Sequence, residues 1–190
     1  MNSVSEKEIG LIVQKVIGEI SRQSLPFQND SNSSNNSTKK TVAVGSDHGG
    51  YEAKKHVIEY LNELGYQPVD CGTDSQESVD YPDFALAVAE KVASKTAWRG
   101  IVIDGAGIGS CMAANKVRGI RAAMCYDYAT AVNSREHNNS NVLTLGAGLQ
   151  GINQINLIIK TWLETKFAGG RHARRVDKIM EIEQKYSKTP

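Results

Sequence analysis

The sequence predicts an α/β protein: a mostly parallel five-stranded sheet with helices on both faces. Three observations carry that prediction. Short β-branched runs alternate with amphipathic helical stretches from Thr41 onward. The runs are apolar and lack strict alternation, as strands covered on both faces are. Glycine-rich polar segments follow the strands, where loops of such sheets collect ligands.

The elements read in order. Thr41–Gly45 (TVAVG) is a buried strand, and Tyr51–Leu64 an amphipathic helix. Gln67–Cys71 is the second strand and Phe84–Ser94 the second helix. Gly100–Asp104 (GIVID) is the third strand, followed by a glycine-rich turn and a short helix. Ile120–Cys125 and Val142–Leu145 are the last strands, with a helix from Tyr128 to about Arg135 between them. Helices over Ile152–Lys166 and Arg175–Lys185 close the chain.

Residues 1–40 have a different character. Ile9, Ile12, Val13, Val16, Ile17 and Ile20 recur at helical spacing and draw one apolar stripe, and Ser5 with Glu8 forms a capping-box pattern. The polar run Gln28–Ser37 (QNDSNSSNNS) has nothing to bury. The division is therefore an amphipathic helix over 1–22, a Ser/Asn-rich linker over 23–40 and a domain over 41–190. A short amphipathic helix on such a tether resembles the encapsulation peptides that carry cargo into bacterial microcompartments. That resemblance, one of pattern, implies a shell or cargo protein as partner for residues 5–20. The alternative is a helix docked on its own domain or in an oligomer contact.

Composition narrows the function. The 190 residues are 40% hydrophobic and 23% charged, with a net charge of +1, so no broad field points to nucleic acid or an anionic membrane. Any anion must be gripped locally. Cys71, Cys111 and Cys125 show no metal spacing and read as small apolar side chains in a reducing compartment. No stretch reaches the roughly 18 apolar residues of a membrane span, and no secretory signal is evident. The expectation is a cytoplasmic protein, or one held within a microcompartment.

Four segments carry chemistry. They are Ser46–Gly50 (SDHGG) after the first strand, Asp104–Ser110 (DGAGIGS) after the third, Ser134–Asn139 (SREHNN) before the fifth, and Gly169–Arg175 (GGRHARR) opening the last helix. In the second, Gly105, Gly107 and Gly109 let successive N–H groups converge on a phosphate or an enediolate oxygen. Arg171 and Arg175 stand i, i+4 on one helical face, suited to clamp a phosphate. His48 and His137 suit proton movement at a sugar oxygen near neutral pH. No coherent His/Asp/Glu metal spacing accompanies them, so the expected chemistry uses no metal and no cofactor.

The motifs SDHGGYEAK, DYPDFA, GIVIDGAGIGSCMAANK, GIRAAMC, SREHNNSNVLTLG and GGRHARRV, in this order over Thr41 to Tyr186, resemble the ribose-5-phosphate isomerase B family. The resemblance implies a Rossmann-like doubly wound fold and a homodimer or tetramer with sites shared between subunits. It also implies metal-free interconversion of ribose 5-phosphate and ribulose 5-phosphate. His137 would open the sugar ring, Asp47 contact sugar oxygens and Tyr81 line the pocket. His48, Arg171 and Arg175 would hold the phosphate, and the loop N–H groups with Asn138 the enediolate.

Departures from the family pattern bear on the base. A cysteine commonly precedes the glycine turn where this chain has Asp104, and a second branch carries a glutamate where it has Ser110. Gly148 replaces a phosphate-binding arginine. Asp104 is then the expected base, since a carboxylate can abstract an α-proton, with Ser110 in the substrate pocket. An aspartate there also resembles one subunit type of galactose-6-phosphate isomerase. The alternatives are thus another phosphosugar or a catalytically weak binding subunit.

Overall fold

The computed structural model describes residues 39–187. The helix expected over 1–22 and most of the linker expected over 23–40 lie outside the described residues. Five strands, β1 (Thr41–Ser46), β2 (Gln67–Asp70), β3 (Arg99–Asp104), β4 (Ala122–Met124) and β5 (Val142–Gly146), form one parallel sheet in the order β2-β1-β3-β5-β4. The expected strands are all present. β4 is shorter than the expected Ile120–Cys125 because asparagine side chains take over its backbone at the start. Arg121 N–H donates to Asn141 Oδ1 (2.7 Å), and Ala122 N–H to Asn115 Oδ1 (2.9 Å).

Six helices cover the sheet: α1 (Tyr51–Glu63), α2 (Tyr81–Ala93), α3 (Ile108–Ala114), α4 (Tyr128–Glu136), α5 (Ile152–Glu164) and α6 (Arg171–Tyr186). α2 begins before the expected Phe84 because Pro82 suits a first turn, where its missing N–H costs nothing. α6 begins at Arg171, so the expected i, i+4 pair with Arg175 lies wholly within the helix. Among the described residues, no helix is long and apolar enough to cross a membrane.

Right-handed crossovers distribute the helices. The chain steps from β1 out to β2 through α1, then reverses through α2 to β3 and moves on through α3 to β4. Steps in opposite directions place their helices on opposite faces. One core accordingly joins Val42, Val44, Ile101, Ile103, Leu143 and Leu145 to α1, α4 and α5, with Trp162 fully buried. The other joins Ala43, Val102 and Val142 to the alanine- and valine-rich face of α2. The chain leaves β1 and β3 in opposite directions. Their C-terminal ends therefore flank the crevice where open parallel sheets bind ligands.

The opposite edge of the sheet is braced separately. Arg99, at the start of β3, is buried and donates from Nη1 to the carbonyls of Trp162 (2.8 Å) and Leu163 (3.0 Å), closing the C-terminus of α5. Its guanidinium lies 4.0 Å from the ring centroid of Trp98 and 4.9 Å from that of Trp162. Burial, then the neighbouring Arg135, pushes its pKa down to about 9. Trp162 Nε1–H donates to Ser140 Oγ (2.8 Å), and Arg135 donates to Asn139 Oδ1 (2.9 Å) and to the Ser140 carbonyl. This network holds the turn that follows α4. Arg99→Met leaves two helix-end carbonyls without their donor. It should lower stability by about 1–3 kcal/mol, read as a reduced urea midpoint with an unchanged slope.

Candidate active site

The first cluster forms where β1, β3 and α2 meet. Asp47 caps a short 3₁₀ turn (His48–Gly50), its Oδ1 accepting from Gly50 N–H (3.0 Å). The cap keeps the carboxylate at the sheet edge, buried to 8% exposure. His48 is exposed beside it, with Nδ1 3.2 Å from both the N–H and the carbonyl of Val79. Tyr81, on the first turn of α2, lays its ring over Gly109. A Cβ at Gly109 would fall 2.5 Å from Tyr81 Cζ, so only glycine lets the ring approach. The backbone N of Gly105 lies 3.6 Å from where a Cβ on Gly49 would stand, so the two loops touch.

Asp104 ends β3 at 4% exposure, and its carboxylate turns inward, under the glycine loop. Oδ1 accepts from Ala106 N–H (2.8 Å) and Gly107 N–H; Oδ2 accepts from Ser110 N–H (3.1 Å) and Ser110 Oγ–H (2.5 Å). The loop closes around the carboxylate because Gly107 adopts φ 77°, a left-handed conformation that suits glycine. Two of the loop N–H groups expected to face a ligand are thus turned to Asp104. Among the described residues, the N–H groups of Gly105, Ile108 and Gly109 have no protein partner. Ser110, expected in the substrate pocket, is fully buried behind the carboxylate. The turn after β5 supports the loop through Ala147 N–H to the Asp104 carbonyl (2.8 Å) and Gly148 N–H to the Gly105 carbonyl (3.0 Å). A Cβ on Gly148 would stand 2.9 Å from the Gly105 oxygen, so the two turns are in close contact.

The cysteines sit outside this chemistry. Cys111 is half-buried on α3 with Sγ 3.5 Å from the Ala122 carbonyl, and burial raises its pKa. Cys71 is raised by the same cause, and burial pushes Cys125 up to about 11. All three therefore rest as thiols.

The second cluster lies at the other end of the sheet. α4 starts at Asp127, whose Oδ1 accepts from Thr130 N–H (2.8 Å), and runs back to His137. The His137 ring stacks on His172 at 4.2 Å between centroids and 8° between planes. Asn133, one helical turn earlier, places Nδ2 2.9 Å from His137 Nδ1, while its Oδ1 accepts from Asn138 Nδ2 (3.2 Å). With the amide so oriented, Nδ1 is an acceptor and the ring proton sits on Nε2, the nitrogen available to a ligand. His172 is buried; desolvation first, then His137, Arg171 and Arg175, lowers its pKa and favours the neutral ring. Arg171 and Arg175 are exposed, and among the described residues neither makes an ion pair.

The expected site residues therefore fall into two groups. Asp47, His48, Tyr81, Asp104 and the glycine loop gather at the C-terminal strand ends. His137, Asn138, Arg171 and Arg175 gather at the N-terminal edge, roughly 15–20 Å away by the rise of the intervening strands. Asn133 and His172 escaped the sequence reading. An amide at i−4 of a helical histidine was the available signal for the first. Only the fold brings His172 against His137.

Comparison with known proteins agrees with this architecture. The ribose/galactose isomerase family model matches residues 42–179. Ribose-5-phosphate isomerase B of Escherichia coli (strain K12) is 42% identical over 146 residues, covering 77% of this chain and 98% of that protein. The structure of Clostridium thermocellum ribose-5-phosphate isomerase B superposes with a TM-score of 0.77 at 53% identity, over 77% of this chain and 99% of that one. The Mycoplasma genitalium ribose-5-phosphate isomerase B, solved with bound ribulose-5-phosphate, gives 0.73 at 40% identity, over 76% and 96%. The chain belongs to the ribose/galactose isomerase family, as an aldose–ketose isomerase of the ribose-5-phosphate isomerase B type.

Proposed function

We propose that the protein interconverts ribose 5-phosphate and ribulose 5-phosphate without a metal, in sites completed by a second copy of the chain. The observation that carries this reading is the separation of the two clusters. The proton acceptor and loop N–H donors lie at one end of the sheet, the ring-opening histidine and phosphate-binding arginines at the other. A monomer cannot bring them onto one five-carbon substrate. A partner that presents its α4 end and α6 start to the crevice of the first copy can. The surface beside His137 fits such a contact: a groove of about 660 Å³ along the open edge of β4, lined in part by Ile120, Met124, Ala129, Asn138 and Ile179.

In the assembled site, the Arg171 and Arg175 guanidiniums with His48 hold the phosphate. His137 Nε2–H hydrogen-bonds the ring oxygen as the anomeric hydroxyl proton is transferred to it and the furanose opens to the C1 aldehyde. Asp47 and Tyr81 position the open chain. Asp104 removes the proton on C2, and the electron pair moves toward the C1 oxygen to give an enediolate. The N–H groups of Gly105, Ile108 and Gly109, with Asn138 of the partner subunit, hold that charge. The C2 hydroxyl proton then passes to the C1 oxygen while Asp104 returns its proton to C1, leaving the ketose.

A second reading has a specific observation behind it. All four acceptor positions of the Asp104 carboxylate are filled by its own loop, which suits a residue that shapes the site without taking a proton. The protein would then be a catalytically weak phosphosugar-binding subunit, or would prefer a different phosphosugar.

Ketose formation from ribose 5-phosphate by the full-length chain, with a chelator present, separates these readings. Turnover that survives the chelator and falls about 10²–10⁴-fold in Asp104→Asn is the expected result. Wild-type turnover in that variant would sink Asp104 as base. Asp104→Asn and His137→Asn, each nearly inactive alone, should recover about a quarter of wild-type activity when unfolded together and refolded as a mixture. Half the dimers are then mixed, each with one intact site. No recovery would mean that both clusters serve the same chain. Because the three thiols stay protonated, iodoacetamide at pH 7.5 should leave turnover intact, and Cys111→Ala should retain activity within about threefold. Rapid inactivation protected by substrate would instead place a cysteine in the site.

A further inference from the structure

Three of the four hydrogen bonds on Asp104 come from backbone N–H groups that the loop conformation fixes. The fourth comes from a hydroxyl. Ser110 Oγ stands 2.5 Å from Oδ2 and is carried by a side chain, so a substitution can remove it without removing a backbone donor. We infer that Ser110 is a positioning residue that steadies the base from its buried side. Its hydroxyl donates to Oδ2 from the buried side and so sets how firmly that oxygen holds its charge when Asp104 takes the C2 proton. The inference rests on Asp104 acting as base, and it withdraws Ser110 from the residues that touch the sugar.

The surroundings support this division of labour. Ser110 is fully buried on the inner side of the carboxylate. Cys111 on α3 is electrostatically coupled to Asp104, and the segments that touch its glycine loop carry Asp47 and His48 after β1 and Tyr81 on α2. None of them bonds the carboxylate. The turn after β5 reaches the Asp104 backbone with N–H groups alone. Among the described residues, Ser110 is thus the one side chain that hydrogen-bonds the carboxylate. A hydrogen bond donated to a carboxylate favours its ionised, less basic form. Removing the donor should make Asp104 easier to protonate.

The test compares full-length wild type, Ser110→Ala, Ser110→Thr and Asp104→Asn. In Ser110→Ala, the acid limb of the kcat profile should move up by about one pH unit, with KM for ribose 5-phosphate within about twofold of wild type. Ser110→Thr, which keeps the hydroxyl, should return the limb toward its original place. Carboxyl NMR of ¹³C-aspartate-labelled protein reads the same property without turnover. The resonance missing in Asp104→Asn should titrate at higher pH in Ser110→Ala than in wild type. A raised KM with an unmoved limb and unmoved resonance would overturn the inference and return Ser110 to the substrate pocket. Full activity in Asp104→Asn would remove the base reading itself, whatever Ser110→Ala does.

Discussion

All five strands run the same way, and the organisation of the site follows from that constraint. A parallel sheet has two chemically unlike ends. At the C-terminal end, loops leave the strands and helix N-termini present free N–H groups. At the N-terminal end, helices arrive with their carbonyls. Asp47 and Asp104 follow strands directly and belong to the first end. His137 and Arg171 come after α4 and α5 have returned across the sheet, which commits them to the second. No adjustment of loop length within one chain brings these ends together, because the strands between them are rigid, hydrogen-bonded and buried on both faces.

Each end is braced by its own network. At the N-terminal edge, Arg99, Trp162, Ser140 and Arg135 tie the end of α5 to the turn that carries His137 and Asn138. At the C-terminal edge, Asp104 gathers its loop, and the turn after β5 supports it from behind. Neither network borrows a side chain from the other. Each cluster is therefore held in shape by its own neighbours, before any ligand arrives.

The strands and helices were legible in the sequence because burial imposes a period, and a period survives without coordinates. Val42 and Val44 face one core while Ala43 faces the other, as the alternation of a strand demands. Element ends were less legible, since side chains decide them: Pro82 starts α2 early, and Asn115 and Asn141 shorten β4. In the site, the motifs located the polar segments but not which way their groups point. The glycine turn reads as an anion site, and the fold makes it one, yet the anion it already holds is Asp104. The contact of His172 with His137 joins residues 35 positions apart and leaves no local trace.

The inward turn of Asp104 also determines what a substitution there reports. A buried carboxylate with no cation bonded to it is tolerable because four donors converge on it. An asparagine offers only one acceptor oxygen to those four donors, and its own N–H groups would face N–H or O–H groups of the loop. Loss of activity in that variant therefore combines the loss of a base with a disturbed loop. Ser110 divides the two contributions. Its hydroxyl can be removed while the three backbone N–H bonds and the shape of the turn remain. If catalysis then follows the charge on Asp104, proton transfer is what the aspartate contributes. If only binding moves, the aspartate serves as the internal anion around which the loop is built.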